Sequence, residues 1–167
     1  RQPEALHWNL AQLASALRLI ADSETLVETL EAFPKAYGVA FTEHFCWRLG
    51  IEAGGFEKDR ELVVAAEKGL AQRTLEIDRF FFDWSRTENL ADPEDDSSEF
   101  ADFRRLIADR PRSRSPVSRY WQKPAPCSMH IEEVESIWTA IADKDDWDPL
   151  SEKIKSIRDM GTALRKG

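Results

Sequence analysis

Residues 2–17 read QPEALHWNLAQLASAL, and the spacing of their apolar side chains decides the fold class. Leu6, Leu10, Leu13, Ala14 and Leu17 recur at steps of three and four, the period of one face of an α-helix. Pro3 suits the first helical turn, where its missing N–H has no partner to lose. The same period returns along the rest of the chain, and no strand pattern competes with it. The reading is all-α, an irregular bundle of about seven helices.

Outward from this stretch, the first helix is expected from about Pro3 to Ala21. A second pattern carries Leu26, Leu30, Phe33, Tyr37, Phe41, Phe45 and Leu49. Pro34 interrupts it, which predicts a kink or a restart near Phe33. Gly50 is placed to end that helix, and IEAGGFE is a turn broken by Gly54 and Gly55. DRELVVAAEKGLAQR is a shorter helix with Leu62, Ala66, Gly69 and Leu70 on one side. Thr74 is a candidate cap for LEIDRFFFDWSR, whose Ile77, Phe80, Phe81 and Trp84 form an aromatic face. ENLADPEDDSS is acidic and aperiodic, a surface loop. Phe100, Phe103, Leu106 and Ile107 mark a short helix, and RPRSRSPVSRYWQKPAPCS a basic, proline-bearing loop or linker. Two helices remain. Ile131, Val134, Ile137, Trp138 and Ile141 stripe the first. In the second Asp148 is read as N-cap, Pro149 as first helical residue, and Leu150, Ile154, Ile157 and Leu164 as facing inward.

Three stretches emerge: a helical segment over 1–87, a loop region over 88–126 with a short helix at about 99–109, and a helical pair over 127–167, expected to pack as one compact unit. Trp8 and Trp138 are read as core residues, so that Ala at either is expected to cost about 3–5 kcal/mol.

The net charge of −8 argues against nucleic acid or an anionic membrane as partner. No apolar run is long enough to span a bilayer. The opening residues carry no signal-peptide pattern. Two distant cysteines are not a disulfide framework. Cys46, in the aromatic run EHFCWRLG, reads as a small packed group, and Cys127, in KPAPCSM, as an accessible loop thiol. Both fit inert thiols in a reducing cytoplasm.

His7, His44 and His130, with Cys46 and Cys127, are the residue types of a metal site, but their spacings match none. Asp78 and Asp83 flank the aromatic run RFFF, where burial could raise a carboxyl pKa toward acid–base use; a cap or an ion pair with Arg79 or Arg86 is the favoured reading. No glycine-rich phosphate loop or nucleophile elbow occurs. The stretch Arg104–Lys123 interleaves Arg104, Arg105, Arg110, Arg112, Arg114 and Arg119 with Tyr120 and Trp121, a composition that can grip phosphates and stack bases. The acidic loop just upstream can neutralise it, so a structural or partner-facing loop is preferred.

Taken together, these stretches resemble a known family. Gln2, Pro3, Trp8, Asn9, Leu10, Leu13, Ala14 and Leu17 match the N-Q-P-x-I-x-x-W-N-L-x-x-L-A-x-x-L stretch of the selenoprotein O (SelO) family. Phe33, Tyr37, Leu49 and Gly50 are similar to the family's F-x-x-x-Y…K-L-G-L helix. IDRFFFDW resembles its D-x-F-F-x-x-W segment, and EEVESIWTAIADKDDWDPLSEKIKSIRDMG the tail of bacterial members. The order and spacing of these pieces carry the match; none is a catalytic motif.

The resemblance implies a kinase-like protein that transfers AMP from ATP to Ser, Thr or Tyr of protein substrates, with Mg2+ or Mn2+. In that family the ATP-gripping Lys, its acidic partner and the metal-holding Asn and Asp precede the N-Q-P…W-N-L stretch. The expectation is therefore the helical C-terminal portion of a kinase-like fold, inactive by itself, with no catalytic, cofactor-binding or metal residue and no cofactor of its own. Its expected partners are the upstream kinase-like lobe of the same protein and the protein substrates, and neither a membrane nor nucleic acid. Many members carry Cys or selenocysteine near the C-terminus, whereas MGTALRKG has neither, so no thiol role is assigned. The alternatives are a stand-alone helical protein-interaction module and a nucleic-acid-binding domain resting on Arg112 and Arg114.

Overall fold

A computed structural model describes residues 2–72, 75–87 and 98–165. Among them are seven α-helices: α1 Gln2–Leu17, α2 Ser23–Leu49, α3 Phe56–Leu70, α4 Ile77–Arg86, α5 Ala101–Ile107, α6 Ile131–Lys144 and α7 Asp148–Leu164. Two 3-10 turns, Ser98–Phe100 and Arg119–Gln122, join them. The all-α reading holds for these residues. The one departure from helix is an isolated antiparallel bridge between Ile51 and Arg112. Thr74 and most of the acidic stretch, residues 88–97, lie outside the described residues.

Local chemistry explains the boundaries. The α1 helix stops at Leu17 rather than near Ala21, because the chain must turn for the next cap. The Asp22 side chain accepts from the Thr25 backbone N–H at 2.9 Å and starts α2. Gly50 ends α2 as expected, in the left-handed region at φ 72°, where its N–H reaches the Cys46 and Trp47 carbonyls. Of the kink or restart expected at Pro34, the restart does not occur: α2 is a single helix of 27 residues that includes it. An interior proline costs a helix about 3 kcal/mol, which packing along the helix must offset. Rings also staple the face on which it sits, with Phe33 and Tyr37 at 5.6 Å and Tyr37 and Phe41 at 6.1 Å. At α7 the cap is displaced by one residue: Trp147 is the N-cap, and Asp148 is already helical.

The main core lies where α2, α3, α4 and α5 meet. Phe80 is its hub, fully buried, with ring centroids of Phe103 at 5.1 Å, Phe81 at 5.3 Å and Phe100 at 5.4 Å. Leu62 and Ala66 of α3 are buried in it as the spacing predicts. Gly69 is there because nothing larger fits: a Cβ would come within 2.3 Å of the Phe100 ring. A second, smaller cluster joins α4 to the end of α7 through Phe82, Tyr120, Trp121, Ala163 and Leu164. The α4 helix thus buries two faces, and Phe82, absent from the expected face, anchors the second.

The first and sixth helices bury no residue completely. Trp8 and Trp138, read from sequence as core, are 63% and 66% exposed. The stripe on α6 is likewise turned outward at Ile131, Val134 and Trp138, and Ile154 and Ile157 of α7 are each more than a third exposed. Periodicity identifies an apolar face but not what covers it: α1 packs along α2, with His7 stacked on Phe33, yet leaves Trp8 outward, and among the described residues α6 touches little besides α7.

Candidate functional site

The basic stretch after α5 folds inward. Pro111 and Ser113 are held in register by Glu52 N–H to the Pro111 carbonyl and Ser113 N–H to the Gly50 carbonyl, both 2.9 Å. That register aims three arginines at the core. Arg110 pairs with Asp59, a fully buried carboxylate at the start of α3, and donates to the Glu52 carbonyl at 3.0 Å. Asp59 also accepts from the Gly54 N–H at 2.9 Å. Arg112 donates to the carbonyls of Leu49 and Trp84. Arg114 donates to those of Trp47 at 2.6 Å and Arg48 at 2.8 Å and to the Ser85 hydroxyl at 3.2 Å, with its guanidinium 5.4 Å from the centre of the Trp121 ring.

The carbonyls among these acceptors lie in the last turns of α2 and α4, where a helix carries partial negative charge. Two guanidiniums therefore do the work of C-caps from a distant part of the chain. Burial pulls Arg112 below the usual arginine range. Burial first, then the cations Arg112 and Arg48, draw Arg114 down to about 10, so it remains charged at neutral pH. Tyr120 and Trp121 are also buried. The arginine–aromatic pattern is thus an internal clamp, and Arg112 and Arg114 are not presented to a nucleic-acid backbone.

Cys46 lies beside this clamp, fully buried, with Arg110 at 3.7 Å from its Sγ. Burial, reinforced by Asp59, pushes its thiol up to about 12. Cys127 is partly exposed and offers its backbone N–H to the Tyr120 hydroxyl at 3.1 Å. Burial raises that phenol above its ordinary value.

The other candidates are not brought together. His7 stacks on Phe33 at 5.4 Å, His44 lies edge-on to Trp47 at 6.2 Å, and His130 precedes α6. Asp83 is gripped by Arg79 at 2.6 Å and Arg86 at 3.2 Å, and Asp78 lies 3.8 Å from Arg48. Among the described residues no group of three or more His, Cys, Asp or Glu is placed to hold a metal ion. Asp59 and Asp83 are each committed to guanidiniums, Asp59 to Arg110 and Asp83 to Arg79 and Arg86. No described helix is long and apolar enough to cross a membrane.

What remains open is surface. Leu6, Trp8 and Leu13 on α1 are each about half exposed or more, as are Leu19 and Ile20 after it.

A family model described as Protein adenylyltransferase SelO matches residues 1–158. No curated protein and no solved structure gives a match.

Proposed function

The chain belongs to the SelO family, whose named activity is protein adenylylation, and on that premise we propose that it is the helical C-terminal portion of a kinase-like adenylyltransferase. In this reading AMP passes from ATP to Ser, Thr or Tyr of a protein, ATP and Mg2+ or Mn2+ are bound outside these residues, and the whole protein works in the cytoplasm. The match over residues 1–158 carries the proposal. The family's metal and nucleotide residues precede the stretch that Gln2, Pro3, Trp8 and Asn9 resemble, so no step of the chemistry is assigned to residues of this chain. Its role is to buttress the kinase-like lobe, and the exposed apolar residues of α1 supply a face for it.

The test uses ATP labelled on the α-phosphate, Mn2+ or Mg2+, and a generic protein substrate, with this chain alone and with a version extended upstream through the kinase-like lobe. Transfer by the extended version alone supports the reading. Transfer by this chain alone puts catalysis within these residues and overturns the assignment. Transfer by neither favours a stand-alone helical interaction module, which the same exposed faces would also serve.

A further inference from the structure

Between the Arg119–Gln122 turn and α7 lies an open cleft of about 810 Å³. Its floor is fixed, because Tyr120 and Trp121 are buried against Ala163 and Leu164. Its two walls are tied by Lys123, whose Nζ donates to the Ser156 hydroxyl at 3.3 Å and lies 5.6 Å from the centre of the Tyr120 ring. Arg119, Lys123 and Lys155 line it, against one carboxylate, Asp159. Several cations elsewhere are engaged with carboxylates: Arg79 with Asp83, Arg105 with Asp102, Arg110 with Asp59, Lys153 with Glu133. Arg119 and Lys155 form no ion pair with a carboxylate among the described residues.

We propose that this cleft docks a carboxylate-rich segment of a partner protein. The cleft is large enough for several side chains. Ser118 and Gln122 add hydrogen-bond donors beside the three cations. The chain as a whole is acidic, at −8. Screening limits what a bound segment feels, since the Debye length is about 8 Å at physiological salt. A segment seated in the cleft therefore senses its cations more than the acidic groups spread over the rest of the surface. A nucleic acid fits less well, because Tyr120 and Trp121 are turned into the core and leave no ring on which bases can stack. That the partner is a protein rests on the adenylyltransferase reading; the preference for carboxylates rests on the cleft alone.

The test is fluorescence anisotropy with a labelled Glu-rich peptide and its Gln counterpart at about 0.1 M salt. The chain is expected to bind the Glu peptide and not the Gln one, and to release it toward about 1 M salt. Arg119→Glu and Lys155→Glu each weaken binding about tenfold, with the melting temperature unchanged because both side chains are exposed. Lys68→Glu, on exposed α3 surface away from the cleft, leaves binding as it was. No binding of the Glu peptide, or binding indifferent to both reversals, overturns the proposal. So does a single-stranded oligonucleotide that binds tenfold tighter and loses affinity with the same variants. Label transfer from ATP does not enter this measurement, so a failure here is distinct from failure of the adenylyltransferase reading.

Discussion

The loop after α5 keeps its arginines inside the fold, while α1 and α6 keep their tryptophans outside it. Arg114 is 8% exposed and Trp138 is 66% exposed. In the first region every buried charge has a stated partner: Asp59 for Arg110, helix-end carbonyls for Arg112 and Arg114. In the second, apolar rings have solvent where a neighbour would stabilise them. A buried charge is tolerated only when it is hydrogen-bonded, and each of these guanidiniums has acceptors for its terminal nitrogens, while the Nε of Arg110, Arg112 and Arg114 is buried without one. An apolar helix face gains its stability from a partner surface, so the second gains from one. Stability of this chain should therefore respond sharply to changes around the clamp and weakly to changes on the outer helices.

The sharpest contrast comes from the core. Phe103→Ala removes a fully buried ring that touches Phe80 and Trp84. Its expected cost is about 3–5 kcal/mol by urea denaturation. Asp59→Ala strands the Arg110 guanidinium in the interior, and breaking such a pair costs about 3–5 kcal/mol. A loss under about 1 kcal/mol for either would mean that the clamp region is open to water and that the two regions do not differ. Gly69→Ala is a milder probe. Its methyl must displace the Phe100 ring, for an expected loss of about 1–3 kcal/mol.

These residues also show where sequence reasoning succeeds. Leu62, Ala66 and Gly69 share one side of α3 by their spacing alone, and Gly50 could be recognised as a cap because a left-handed residue is needed there. Local rules suffice for local structure. They fail for Arg112 and Arg114, whose partners, Leu49, Trp47 and Ser85, lie 29 or more positions away in the chain for Arg114 and up to 63 for Arg112. A charged run looks like surface until the acceptors are known. At Pro34 they leave a kink or a restart open, and the helix does not restart. They fail at Trp8 because an apolar face reads the same whether or not something covers it. Of the basic cleft, the sequence shows the cations Arg119 and Lys123, but not that α7 brings Lys155 to meet them.

Cys46 and Cys127 carry the comparison to a single atom type. Iodoacetamide is expected to modify Cys127 in the folded protein and to leave Cys46 untouched until denaturant is added. Cys46 also gives a pH signature. Its folded pKa, about 12, stands above the ordinary thiol value. The resulting stabilisation is fully present below that ordinary value and is lost as pH rises toward 12. The urea midpoint should therefore fall through this alkaline window, and Cys46→Ala should remove that part of the fall. Native-state labelling of Cys46 as fast as Cys127 would show that the clamp opens readily.

The smallest effects belong to the outer helices, and they are the most informative about function. Trp8→Ala and Trp138→Ala remove rings that are already mostly in water. Each should change the stability of this chain by less than about 1 kcal/mol. The expectation for Trp8 changes if the proposed kinase-like lobe is present and rests on α1. The same indole would then be buried at an interface, and its truncation would cost about 3–5 kcal/mol as any large core deletion does. The comparison is between two denaturation experiments on one substitution, with and without the upstream lobe. A cost that rises with the lobe locates the buttressing contact on α1. An equal, small cost in both contexts would leave the face at Leu6, Trp8 and Leu13 unexplained by that lobe and would move the interaction-module reading ahead.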